Sequence, residues 1–169
     1  CGGLIFLMMA FAGQPFLQLI GFPAIVALVA YMIPRIWLDR KIKDAALGMI
    51  WDPGAVKLAF EVGEGAELDI RLGGKLGPQS GPPIDARARV LKVARDVTVE
   101  FGGERKSVGQ IGDAAALQIE GVTVIVNSTR TQCHSRDSFT KLGVDPSTKK
   151  VVVVKSMQHF RAAYAPIAS

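Results

Sequence analysis

Leu47-Gly48-Met49-Ile50-Trp51-Asp52-Pro53 decides the fold class of this chain. Leu47 to Trp51 is a short apolar run of strand type. Asp52 is a good helix N-cap, because its side chain can accept from an otherwise unsatisfied N–H of the first turn. Pro53 fits the first helical position, where its missing N–H costs nothing. Ala55, Val56, Leu58, Ala59 and Val62 then predict a short helix, closed by Gly63 and Gly65. A strand that feeds straight into a capped helix announces a mixed fold.

Downstream the grammar stays strand-rich. Glu67-Leu68-Asp69-Ile70-Arg71-Leu72 alternates cleanly, as a strand with one wet face does. Gly73-Gly74-Lys75-Leu76-Gly77-Pro78 breaks it, and a loop continues to Pro83. Ile84 to Val93 alternates again, and Val97 to Phe101 predicts a strand paired with a later one through Gly102-Gly103. Ala115-Leu117-Ile119 and Val122-Val124-Val126 flank Glu120-Gly121, a tight hairpin signal. Asp137 to Leu142 reads as a short helix closed by Gly143, and Asp145-Pro146-Ser147 as a turn. Val151 to Val154 is a β-branched run of the kind buried on both faces. Ser156 is placed to cap a final helix, Met157 to Tyr164. The expected class is α+β: a strand-rich soluble C-terminal domain with short helices, residues 46–169.

Upstream the composition is of another kind. Cys1 to Pro34 holds no Asp, Glu, Lys or Arg. Leu4 to Phe11 is apolar but too short to span a bilayer core of ~30 Å. After Gly13-Gln14-Pro15, Phe16 to Trp37 is long enough to cross, with Tyr31 and Trp37 near its end and Arg35, Arg40, Lys41 and Lys43 at its exit. The positive-inside rule would place that exit in the cytoplasm. Residues 1–45 are therefore expected to be an N-terminal hydrophobic helical segment that anchors the chain to the inner or cytoplasmic membrane. The alternative is a buried helical hairpin in a cytoplasmic protein. A chain that starts at Cys1 reads first as a fragment; a trimmed chain and a lipidated N-terminus are the two alternatives.

The net charge of +5 and pI of about 9.4 do not mark a nucleic-acid binder. No Lys/Arg run is interleaved with aromatics, and beyond Asp44 the basic residues are set among nearly as many acids. The two cysteines, Cys1 and Cys133, lie in unlike surroundings, so no disulfide is expected.

Two resemblances attach to these residues. The run from Gly21-Phe22 to Lys43, with Pro34-Arg35-Ile36-Trp37-Leu38, resembles the second membrane helix and exit of Flp/Tad pilus platform proteins. This implies a membrane-anchored structural component. A more extensive resemblance begins at Gly48-Met49-Ile50-Trp51-Asp52-Pro53. It continues through Gly65-Ala66-Glu67-Leu68, Leu72-Gly73-Gly74-Lys75, Ser80-Gly81-Pro82-Pro83 and Thr129-Arg130-Thr131-Gln132 to Val153-Val154-Lys155-Ser156-Met157-Gln158-His159-Phe160-Arg161-Ala162. These motifs resemble, in order, the C-terminal domain of the microcystinase C (MlrC) family of zinc metallopeptidases. The resemblance implies that the zinc ligands sit in a larger domain absent here. It further implies that the present domain shapes a substrate cleft, is inactive alone, and self-associates through the interface its partner would cover. A chimera of two genes would also account for the two halves.

The residues agree that a metal site is lacking. Catalytic zinc needs three protein ligands; the chain has two histidines, and Cys133-His134 has no second pair. Ser156 and His159 are spaced i, i+3 but lack an orienting acid in view. No catalytic or metal residue is assigned, and no cofactor is expected on this chain. The substrate-binding candidates are of three kinds. Lys155, Ser156, Gln158 and His159 leave a buried strand together, a common place for an anion or a peptide carboxylate. Gly73, Gly74 and Lys75 form either an anion nest or a plain turn. Arg130 either clamps a carboxylate or makes a surface pair.

Overall fold

The computed structural model describes residues 5–6, 43–75, 77, 80–102, 106–156 and 160–168. The expected span, residues 16–37, lies outside them. Among the described residues no helix is long and apolar enough to cross a membrane. Ile5–Phe6, inside the stretch expected to be helical, instead form a two-residue strand, β1.

The other strands are β2 (Ala45–Trp51), β3 (Glu67–Leu72), β4 (Ile84–Phe101), β5 (Ser107–Ile119), β6 (Val122–Asn127) and β7 (Val151–Val154). They make one seven-stranded sheet in the order β1-β7-β2-β6-β5-β4-β3. β1, β7, β2 and β6 run parallel, whereas β5, β4 and β3 add on antiparallel. The mixed architecture is α+β, as the alternation of strand and helix signals predicted.

Helix α1 (Pro53–Val62) begins as the sequence implies, with the Asp52 carboxylate accepting from Ala55 N–H at 3.0 Å. It lays Ala55, Val56 and Ala59 on one face of the sheet. Three small side chains at that spacing let the helix sit close over Ile70, Leu72, Val90, Leu117, Val124 and Val126. The opposite face is covered by α2 (Asp137–Thr140), a 3₁₀ turn at Pro146–Thr148, and α3 (Phe160–Tyr164). There Phe139 and Tyr164 meet edge to face, 6.3 Å between centroids. A Cβ on Gly48 would stand 2.8 Å from the Phe139 ring, so this glycine in β2 is what allows α2 to close on the sheet.

The sequence separates Ile84–Val93 from Val97–Phe101; the structure joins them in one strand of 18 residues. Irregular register at Ala94/Val97 and Val97/Thr98 keeps the pairing with β5 intact while the strand bends. Asp96, at φ +47°, is held there by its own N–H donating to the Asp113 carboxylate at 3.0 Å. Since Ala114 is the β5 residue opposite Asn127, the last of β6, the outer part of the β4–β5 hairpin extends beyond the sheet. Its Val97, Val99 and Ile111 belong to the core cluster that includes Phe139, Leu142 and Val144.

Candidate functional site at the carboxyl edge

The parallel strands β2, β6 and β7 finish on one edge, at Trp51, Asn127 and Val154. Side chains that leave a parallel sheet at its carboxyl ends converge in the loops above it. Here the segment after β6 crosses to β7: the Lys155 N–H donates to Gly48 O at 2.8 Å, and Lys155 O accepts from Cys133 N–H at 3.1 Å. This crossing brings Arg130 near Trp51, sets its charge within reach of Lys155, and joins Gln132 to Ser156. The Trp51 indole N–H donates to Ser128 O at 3.1 Å, and the Arg130 guanidinium carbon lies 5.8 Å from the Trp51 ring centroid. Cation–π contact at such a distance orients the side chain without neutralising its charge.

Ser156 Oγ donates to Gln132 Oε1 at 3.4 Å. The helix it is expected to cap is described from Phe160 to Tyr164, and the intervening residues 157–159 lie outside the described residues. Lys155 is exposed by surface area, yet surrounding protein strips hydration from its ammonium. That desolvation, followed by repulsion from Arg130, lowers its pKa from the ordinary 10.5. Among the described residues neither Arg130 nor Lys155 forms an ion pair. Gln158 and His159, the other candidates from this junction, lie outside the described residues.

Gly73-Gly74-Lys75 closes over the same edge but meets an anion supplied by the chain itself. The Asp52 carboxylate is 2 % exposed. It accepts from Gly73 N–H at 2.9 Å and from Lys75 Nζ at 2.8 and 3.1 Å, in addition to capping α1. Gly74, at φ +63°, runs so close to the following loop that a Cβ would come within 2.3 Å of Pro83 N. Asp52 is the site residue that sequence reasoning assigned to capping alone. The available signal was an acid at a strand end joined to a later Gly-Gly-Lys, but no local rule links positions 23 residues apart.

The Cys133-His134 pair is a packing element. Cys133 is fully buried, its Sγ 3.2 Å from Tyr164 Oη, and burial pushes its thiol up to about 11. Tyr164 Oη donates to Ser135 O at 2.9 Å. The His134 ring stacks on Phe101 with 4.5 Å between centroids. Such a thiol is a poor metal ligand, because thiolate is the form that binds. No group of three or more His, Cys, Asp or Glu is placed to hold a metal among the described residues.

These observations define a class: a mixed-sheet module with a cationic carboxyl edge and, among its described residues, no cluster of side chains that would hold a metal ion. The chain belongs to the MlrC C-terminus family, whose model it matches over residues 30–169. It is 38% identical over 132 residues to microcystinase C of a Sphingomonas species, covering 78% of this chain and 25% of that protein. A crystal structure of a candidate metallopeptidase from Mesorhizobium sp. BNC1 superimposes with a TM-score of 0.71 at 28% identity, over 82% of this chain and 28% of that one. The chain therefore spans about a quarter of the length of the relatives it matches. The family match extends upstream of β2 and takes in Arg35 to Lys43, the stretch that resembles a pilus-platform exit. The pilus alternative gains no support.

Proposed function

We propose that the chain is the C-terminal module of an MlrC-type zinc metallopeptidase, and that its carboxyl edge forms one wall of the substrate cleft. The metal would be held by another domain of such an enzyme; the residues described here offer it no fit, and no hydrolytic step is derived for them. The observation that carries the reading is the Arg130–Lys155 pair. Desolvation first, and then the charge of Arg130, lower the Lys155 pKa, and among the described residues no acid pairs with either cation. An anionic group from outside, such as a peptide carboxylate, relieves that repulsion, and Arg130 has the planar fork to meet it with two hydrogen bonds. The Ser156–Gln132 contact supplies polar groups beside it. The Sphingomonas relative, by its name, acts on a microcystin, which makes a peptide the natural substrate class for this edge.

Trp51 provides the test. In a Trp37→Phe background its fluorescence reports on the edge. A linear peptide with a free carboxylate is expected to produce a saturable change, about tenfold weaker in affinity when Arg130 and Lys155 are both changed to Gln. The same chain with added zinc is expected to leave the peptide intact. Turnover above background, or binding indifferent to both substitutions, would sink the proposal.

A further inference from the structure

A second cationic feature lies away from the edge. A cleft of about 610 Å³ opens between the outer end of the β4–β5 hairpin, the 134–137 segment and α3. Its acids are committed within the fold. Glu100 is paired with Lys106 at 3.1 Å. One carboxylate oxygen of Asp137 accepts from Glu100 N–H, also at 3.1 Å. Its arginines are not so committed: Arg136 and Arg161 both line the cleft, both are exposed, and neither enters an ion pair among the described residues. Hydrogen bonds from Ser147 hold the Asp145 carboxyl below its usual range, with a smaller contribution from the charge of Arg136, which does not pair with it. Two contacts hold the wall between the arginines: Phe101 stacks on His134, and Tyr164 Oη donates to Ser135 O.

We propose that this cleft is an oxyanion-binding site, distinct from the carboxyl edge, in which Arg136 and Arg161 grip a carboxylate or a phosphate. Two guanidiniums on separate elements line one concavity and together offer an oxyanion more donors and more charge than a lone surface arginine does. The stacked Phe101–His134 pair gives the ligand's body an apolar wall. The ligand is a small dianion or an anionic group on a larger molecule.

The test titrates the full chain at low salt with inorganic phosphate in one arm and glutarate in the other, and follows the backbone amides of Gly102, His134 and Arg161 by NMR. Saturable shifts at these amides are expected in at least one arm. Phosphate alone would assign a phosphoryl ligand, and shifts with glutarate would assign a carboxylate. Changing Arg136 and Arg161 to Gln is expected to weaken binding at least about tenfold. Arg130→Gln with Lys155→Gln should leave these shifts in place, which separates this site from the carboxyl edge. If the double Gln variant fails to fold, Arg136→Lys and Arg161→Lys keep the charge but lose the fork, and each should bind more weakly than the parent. No saturable shift in either arm overturns the proposal, as does a loss that follows the Arg130 and Lys155 substitutions equally.

Discussion

Two halves of one sheet edge are built from the same kinds of residue and reach opposite electrostatic outcomes. Above the end of β2, Lys75 and the Gly73 amide converge on a carboxylate, and Asp52 is at once helix cap, ion-pair partner and loop anchor. Farther along the edge, above β6 and β7, Lys155 is desolvated and feels the charge of Arg130. The first half is neutral and closed. The second is charged and open, and its geometry is complete without a ligand only at the expense of like-charge repulsion. Structural and binding uses of cations are thus told apart by whether the chain itself supplies the counter-ion. The residue types alone do not distinguish them.

The comparison is broken most severely at Asp52. Asp52→Ala removes the cap from α1 and leaves Lys75 facing a buried cavity while the Gly73 amide loses its acceptor. We expect a loss of about 3 kcal/mol, measured by urea unfolding, from the combined cap and charge-pair contributions. Asp52→Asn keeps a capping oxygen and should recover roughly half of that. If both variants unfold alike, the charge is the dominant element and the cap adds little. If neither moves the midpoint, the closed half is not held by this carboxylate.

Gly74→Ala comes next. The Pro82–Pro83 backbone occupies the space a methyl group would take, and φ +63° adds strain of its own, so about 2 kcal/mol should be lost. Gly63→Ala is the control: it has φ +82° but nothing within 4 Å, and should cost only about 1 kcal/mol. Equal losses at the two positions would mean that loop crowding over Asp52 contributes nothing.

What could be read in the sequence divides along a related line. Asp52-Pro53, the alternation of Glu67 to Leu72, and Glu120-Gly121 are all local devices, in which neighbouring residues dictate their own backbone. Each appears in the structure as a cap, an edge strand paired with β4, and a hairpin. The Lys75–Asp52 pair and the Arg130–Lys155 approach join residues 23 and 25 positions apart, and only the order of the strands brings them together. The same holds for Cys133. A loop position next to a histidine gave no sign that Tyr164 and the core would bury it. Ala94 to Asp96 misled in the other direction: a break in the alternation looked like the end of a strand, whereas a bulge absorbs it and the ladder continues.

Cys133 offers a probe of whether the second half of the edge stays closed at its base. Cys133 belongs to the segment that crosses from β6 to β7; its side chain is buried, and its N–H donates to Lys155 O. In a Cys1→Ser background, alkylation at pH 8 should be slow in the folded chain and immediate in urea, since burial keeps the thiol protonated well past its ordinary range. The raised thiol pKa also sets a sign. Its contribution to stability is fully present below an unfolded value near 9 and is lost as pH rises towards about 11. Fast alkylation of the native chain would show that the crossing segment opens.

The smallest effect is the most specific. Lys155 has a lowered pKa, so the unfolded chain holds its proton more tightly than the folded one. Stability from this group therefore rises with pH, beginning at the folded pKa and ending near the ordinary 10.5. Arg130→Gln removes one of the two causes and should shift the Lys155 titration upward, observed by NMR at the side-chain carbon next to the ammonium. Desolvation, the larger cause, remains, so the shift should be partial. An anion bound between the two side chains should act in the same direction as the substitution and draw a proton onto Lys155 in the same pH window, which calorimetry in buffers of different ionisation enthalpy detects. If Arg130→Gln leaves the titration where it was, the two cations do not sense each other, and the contrast between the closed and open halves of the edge reduces to Asp52 alone.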